Sequence, residues 1–155
     1  SVMIAGEGPL RAELEALIRQ LGVADRVHLL GWRTDTVELF AAADICVFPS
    51  RIEPFGNVVV ESWGQRVPLI TARSVGPAWL VEDGVDGLLF DIDQVEQLTE
   101  RINTLIARPE LAAGLVEAGA AKHQQQFSRD AIVKRYLAMF EDVVARYGGR
   151  YATRR

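Results

Sequence analysis

One cysteine, Cys46, is all the thiol chemistry this chain holds. It makes no internal disulfide and has none of the spacings of a zinc site. Its place in an apolar run reads as a small buried residue. Two histidines, His28 and His123, are the only imidazoles. His28 falls inside a strand-like run and His123 in the polar stretch Lys122 to Gln126. One reads as structural and the other as solvated, so neither is a catalytic candidate. No apolar run approaches the ~18 residues of a membrane span, and no signal peptide is visible. There is no basic excess either. The formal net charge is −4 and Lys and Arg are scattered, which argues against nucleic acid as a partner. The one basic cluster, Arg150 to Arg155, reads as a loose tail over residues 148–155. The chain starts with Ser1 and not Met, and Val2 to Ala5 is already strand-like. It therefore looks like a piece of a longer chain from a reducing, cytoplasmic compartment.

What remains is ordinary for a globular protein: 49% apolar and 25% charged residues over 155 positions. One domain over residues 1–147 is expected, burying roughly two-thirds of its unfolded surface.

Five short apolar runs read as strands: Val2–Ala5, Val27–Leu30, Ile45–Phe48, Val67–Ile70 and Leu88–Phe90. Helical spacings lie between them. Leu10, Leu14, Leu17, Ile18 and Leu21 mark the first helix, with Pro9 at its start and Gly22 at its end. Thr34 or Asp35 is placed to cap the second. A third runs from Asn57 to about Gln65, and a short one from Gly76 to Val81. Three more finish the chain. The last runs from Arg129 to Tyr147, with Ser128 as its cap and Gly148-Gly149 as its stop. Strands without a polar face, alternating with helices, predict an α/β fold with a parallel sheet covered on both sides. Right-handed crossovers make it a Rossmann-like, doubly wound sheet of about five strands with C-terminal helices.

The stretch from Pro49 to Glu61 stands out. A strand ends at a proline, a polar loop follows, and Asn57 opens a helix. Ligands of open α/β sheets bind beyond the carboxyl ends of strands, and helix N-termini favour phosphate. Glu53 in the loop and Glu61 on the helix accept paired hydrogen bonds from vicinal hydroxyls, as on a sugar and a ribose. Phe55, Gly56 and Asn57 present backbone N–H groups at the loop's end. The same pattern also serves a capping loop with an acid near the helix start. The residues alone leave both readings open.

Pro49-Ser50-Arg51-Ile52-Glu53-Pro54-Phe55-Gly56 with Glu61 resembles the signature of family-four retaining glycosyltransferases of the GT-B fold. The flanks agree: Gly6-Glu7-Gly8-Pro9, the strand from Val27, Ala42-Ala43-Asp44-Ile45, Val67 to Ile70, and Glu82 to Leu89. The resemblance spans roughly residues 2 to 147. It implies one half of a GT-B fold, the C-terminal half that binds a nucleotide-diphosphate sugar. By that resemblance Glu53, Phe55, Gly56 and Asn57 would hold the donor sugar and Glu61 the ribose. Trp32 and Arg33 would lie at the base, although a loop aromatic and a surface charge are the plainer readings. No metal site, cofactor or catalytic residue is expected in this chain. The diphosphate clamp, an arginine and a lysine, would lie in a first strand–helix unit of this same domain, ahead of Ser1; the acceptor site and the usual catalytic histidine would lie in a preceding half, which is also where any membrane association would arise. The isolated chain is expected to be inactive. Two departures bear on the resemblance. Val75 and Trp79 stand where the family has a glycine and a glutamate, and Arg66 stands where it has glycine. The alternatives are a non-catalytic nucleotide- or sugar-phosphate-binding module, and an interaction domain built on the last helix.

Overall fold

The computed structural model describes the backbone of residues 1–151 and the side chains of residues 1–147. Twelve elements alternate as β1 (Val2–Ala5), α1 (Arg11–Gln20), β2 (Val27–Gly31), α2 (Thr36–Ala41), β3 (Cys46–Phe48), α3 (Asn57–Gly64), β4 (Leu69–Ala72), α4 (Val75–Leu80) and β5 (Leu88–Phe90), then α5 (Val95–Ala107), α6 (Pro109–Gln126) and α7 (Arg129–Tyr151). The five expected strands are all present, and every strand pairing is parallel. They pair in two sets, β1–β2 and β3–β4–β5. The chain divides into two compact units, Ser1–Leu39 and Phe40–Arg155.

In the first unit, β1 and β2 run in register from Val2 opposite Val27. The Gly6 N–H donates to the Gly31 carbonyl oxygen at 2.8 Å, which ties the turn after β1 to the end of β2. Helix α1 starts at Arg11, two residues after Pro9, with Leu10 at its cap position. Pro9 and Leu10 form a turn instead of its first helical residues. Asp35 takes the cap position of α2, its carbonyl accepting the Leu39 N–H at 3.1 Å.

The core lies in the second unit. One face of the triple buries Val59, Trp63, Leu69, Leu80, Val81 and Leu89, and the other buries Ile70, Ala72, Leu88, Phe90, Leu105 and Leu115. Both faces of β4 are thus covered, and its one polar residue, Thr71, donates its hydroxyl to the Phe48 carbonyl oxygen at 3.1 Å. Strand β4 begins two residues later than the apolar run suggests. Val67 still closes α3, donating its N–H to Ser62 at 3.0 Å, and the ladder starts at Leu69.

Helix α3 exits through Arg66 at φ 59°, the left-handed conformation expected where a glycine is usual. Its guanidinium pairs with Glu117 of α6. Helix α6 lies against α3, where Gly119 meets the Trp63 indole and Gly64 meets His123. His123 is therefore half-buried in a packed helix and not in a solvated stretch. Lys122 beside it is paired with Asp86 at 2.6 Å. The Ser128 hydroxyl caps α7, accepting the Ala131 N–H at 3.3 Å. Helix α7 then runs through Gly148-Gly149 to Tyr151. Each glycine costs a helix interior ~1 kcal/mol relative to alanine, a penalty and not a stop. The rest of the expected tail, 152–155, lies outside the described residues. The apolar stripe of α7, Val133, Tyr136, Leu137, Phe140, Val143 and Val144, is exposed. Among the described residues no helix is long and apolar enough to cross a membrane.

Candidate functional site

Strand β3 ends at Phe48, and residues 49–56 carry the chain over the carboxyl end of the triple into α3. The helix cap is Gly56, not Asn57. Gly56 has φ 107° and ψ 57°, a left-handed conformation that a side chain at this position would strain. Asn57 is the first helical residue, and no side chain caps the helix itself. The loop is instead closed by Glu53. Its Oε1 accepts the Phe55 N–H at 3.1 Å and the Gly56 N–H at 2.9 Å. Those two amides are thereby committed within the loop. Two other donors stay open, because no described group accepts the N–H of Asn57 or Val58. They stand at the positive end of α3, where an anion is favoured.

Glu61 is the fifth residue of α3, past the first turn, so helix-dipole stabilisation does not account for it. It shares the exposed face with Asn57, four residues before it, while Val59, Ser62 and Trp63 turn inward. Its charge also reaches Cys46. Burial pushes the Cys46 thiol up to about 11; a Ser62 hydrogen bond partly opposes the shift, and Glu61 adds to it. The structure therefore gathers Glu53, Phe55, Gly56, Asn57 and Glu61 at one strand–loop–helix junction. Glu53 keeps its second oxygen free for a ligand, and Glu61 lies one turn along.

Trp32 and Arg33 belong to the first unit. Trp32 is 80% exposed at the turn after β2. Arg33 lies beside it, and its Nε donates to Asp35 at 2.7 Å. The hydrogen bond and charge of Asp35 raise the Arg33 pKa above its ordinary value, and the same contact lowers that of Asp35.

Two features of the site escape sequence reading. Gly76 of α4 donates its N–H to the Glu53 carbonyl oxygen at 2.8 Å. The Phe55 ring meets Phe127, with centroids 6.3 Å apart. In the sequence Gly76 reads only as the start of a short helix, and nothing there points to Phe127. The two departures noted above, Val75 and Trp79, fall on α4 and are exposed, Trp79 to 77%.

A parallel α/β unit with paired acids and open helix amides at its carboxyl edge is of the class that binds nucleotides or sugar phosphates. Comparison with known proteins names the family. The model of the glycosyl transferases group 1 family matches residues 1–122, and the chain belongs to that family. It is 40% identical over 136 residues to the lipopolysaccharide core biosynthesis glycosyltransferase LpsE of Rhizobium meliloti (strain 1021), covering 88% of this chain and 40% of that protein. Among solved structures, Anabaena Alr3699/HepE in complex with UDP has a TM-score of 0.84 at 30% identity, over 90% of this chain and 40% of that one. The same protein with UDP-glucose scores 0.83 at 31% identity. The C-terminal domain of a group 1 glycosyl transferase, LpcC of Francisella tularensis, shares the fold, with a TM-score of 0.70 at 21% identity over 77% of this chain and 63% of that one. The chain thus has the fold of one half of a GT-B glycosyltransferase. It spans about 40% of the length of relatives such as LpsE and HepE.

Proposed function

We propose that this chain is the donor-binding half of a retaining glycosyltransferase that takes a sugar from a nucleotide diphosphate. The observation that carries the reading is the junction of Glu53 and α3. Two amides hold one Glu53 oxygen and leave the other for sugar hydroxyls. The open Asn57 and Val58 amides suit the distal phosphate. Glu61 accepts the ribose diol from the same helix face. Phe55 and Gly56 then line the sugar with backbone whose N–H groups are already spent on Glu53. The base is assigned to Trp32 and the main chain near Arg33 on the family resemblance alone. The UDP and UDP-glucose complexes of HepE support a nucleotide-sugar donor of this kind.

The other half of the enzyme supplies the acceptor site and the catalytic histidine, and a first strand–helix unit of the donor half supplies the basic clamp on the diphosphate. Charge developing on the leaving diphosphate is stabilised by that clamp and by the α3 N-terminus. No metal or cofactor takes part in this scheme. The isolated chain does not transfer sugar, and the complete enzyme acts in the cytoplasm, meeting the membrane only through its other half. The test is calorimetric titration of the complete enzyme with donor. Glu61→Ala weakens binding by ~1–3 kcal/mol through lost hydrogen bonds to a charged group. Unchanged donor affinity would remove Glu61 from the site.

A further inference from the structure

The loop that carries Glu53 is gripped from two sides. On one side Gly76 meets it backbone to backbone. Besides its 2.8 Å hydrogen bond to the Glu53 carbonyl oxygen, it leaves no room for a side chain. A Cβ at position 76 would stand 2.2 Å from the Phe55 carbonyl oxygen and 2.5 Å from the Phe55 Cα. Gly56 completes the same contact, since a Cβ there would meet Leu80 at 3.4 Å and Pro77 at 3.5 Å. On the other side the Phe127 ring stands edge-on to Phe55, at an interplanar angle of 64°. Phe127 leans in turn on Trp63 of α3, 6.1 Å between centroids.

Helix α4 is not the partner that yields. Pro77 and Leu80 are buried, and the Lys122 ammonium donates to the Leu80 carbonyl oxygen at the helix's far end. The loop, in contrast, exposes Ile52 and part of Phe55. Added bulk at position 76 therefore moves the loop. Helix α3 is held separately by Val59, Ser62 and Trp63, so Glu61 stays in place.

We propose that Gly76 and Phe127 are positioning residues for the sugar end of the donor. They set where the Glu53 carboxylate stands and leave the nucleotide end unaffected. This rests on the donor-sugar reading of Glu53. Moving the Phe55 backbone out to ordinary contact with a new Cβ displaces the loop by about 1 Å, enough to carry the Glu53 carboxylate out of hydrogen-bond range of a sugar hydroxyl.

The experiment is calorimetry on the complete enzyme with UDP and UDP-glucose as probes, and with GDP and GDP-mannose in parallel. In Gly76→Ala the ratio of the UDP-glucose Kd to the UDP Kd rises about ten-fold or more, while the UDP Kd stays within about two-fold. Phe127→Leu shifts the ratio the same way by about three-fold, and Phe127→Tyr, which keeps the ring, restores it. Phe127→Leu alone decides the matter if Gly76→Ala does not fold. An unchanged ratio, or equal losses for nucleotide and nucleotide sugar, overturns the positioning role. Glu53→Ala is measured alongside. If it leaves the ratio unchanged, the donor-sugar reading itself fails. If it shifts the ratio and the other two variants do not, only the positioning inference fails. A wild-type enzyme that binds neither pair of probes overturns the donor reading.

Discussion

Replacing Lys122 with methionine tests how the second unit is held together. The Lys122 ammonium lies 2.6 Å from Asp86 Oδ2 and 5.0 Å from the centroid of the Trp63 ring. It also donates to the Leu80 carbonyl oxygen. Asp86 is only 4% exposed, and its other oxygen accepts the Glu82 N–H at 2.9 Å. Methionine keeps the apolar stem but strands this carboxylate in the core. Breaking a buried pair from one side costs about 3–5 kcal/mol. The Lys122 side chain is 25% exposed, so solvent screening places the expected loss at the lower end, about 3 kcal/mol. For a chain of this size each kcal/mol lowers Tm by about 2–4 °C, giving about 6–12 °C. The double variant Lys122→Met/Asp86→Asn removes both charges and recovers most of the loss, because no charge is left unpaired. Urea unfolding followed by tryptophan fluorescence reads the outcome. Trp63 is buried while Trp32 and Trp79 are exposed, so the signal reports chiefly on this cluster. A single-variant loss under ~1 kcal/mol, or a double variant no better than the single, would refute the assignment of this pair as a core clamp.

Two further perturbations follow from the packing. Gly119→Ala drives a methyl to 2.3 Å from Trp63 Cδ1 and should cost at least ~1–3 kcal/mol by overpacking; a neutral melting curve would mean that α6 sits farther from α3 than described. Cys46, with its pKa raised to about 11, is about 0.1% thiolate at pH 8, so maleimide labelling of the folded chain should be slow and should become fast in denaturant. The stability that this protonated thiol contributes is present in full below the ordinary thiol pKa of ~8.5 and is lost as pH climbs through 11. Rapid labelling under native conditions at pH 8 would contradict the burial.

The strands were legible because they are short apolar runs cut by Gly, Pro and Asp, and their order alone implied a parallel α/β sheet. Boundaries failed at helix ends. Val67 looks like a strand residue but closes α3, donating its N–H to the Ser62 carbonyl oxygen, and Gly148-Gly149 look like a stop but are absorbed into α7. The Glu53–Glu61 spacing was legible as a candidate site, and Arg66 correctly marked a strained helix exit. The inner wiring was not. Glu53 spends one oxygen on its own loop, and Gly76 reaches Glu53 from the next strand–helix connection. Lys122 finds Asp86 across 36 residues. Such contacts join segments that only the packed fold brings together, so no local spacing announces them.

In the proposed donor site Glu61 receives the ribose of the nucleotide. The most direct measurement is a four-way calorimetric cycle on the complete enzyme: UDP and 2′-deoxy-UDP, each with wild type and Glu61→Ala. Removing the 2′-hydroxyl should weaken wild-type binding by about 1.5–3 kcal/mol, the worth of a hydrogen bond to a charged group, and should change Glu61→Ala by little. Equal losses in both proteins would contradict it, because the hydroxyl and the carboxylate would then act independently.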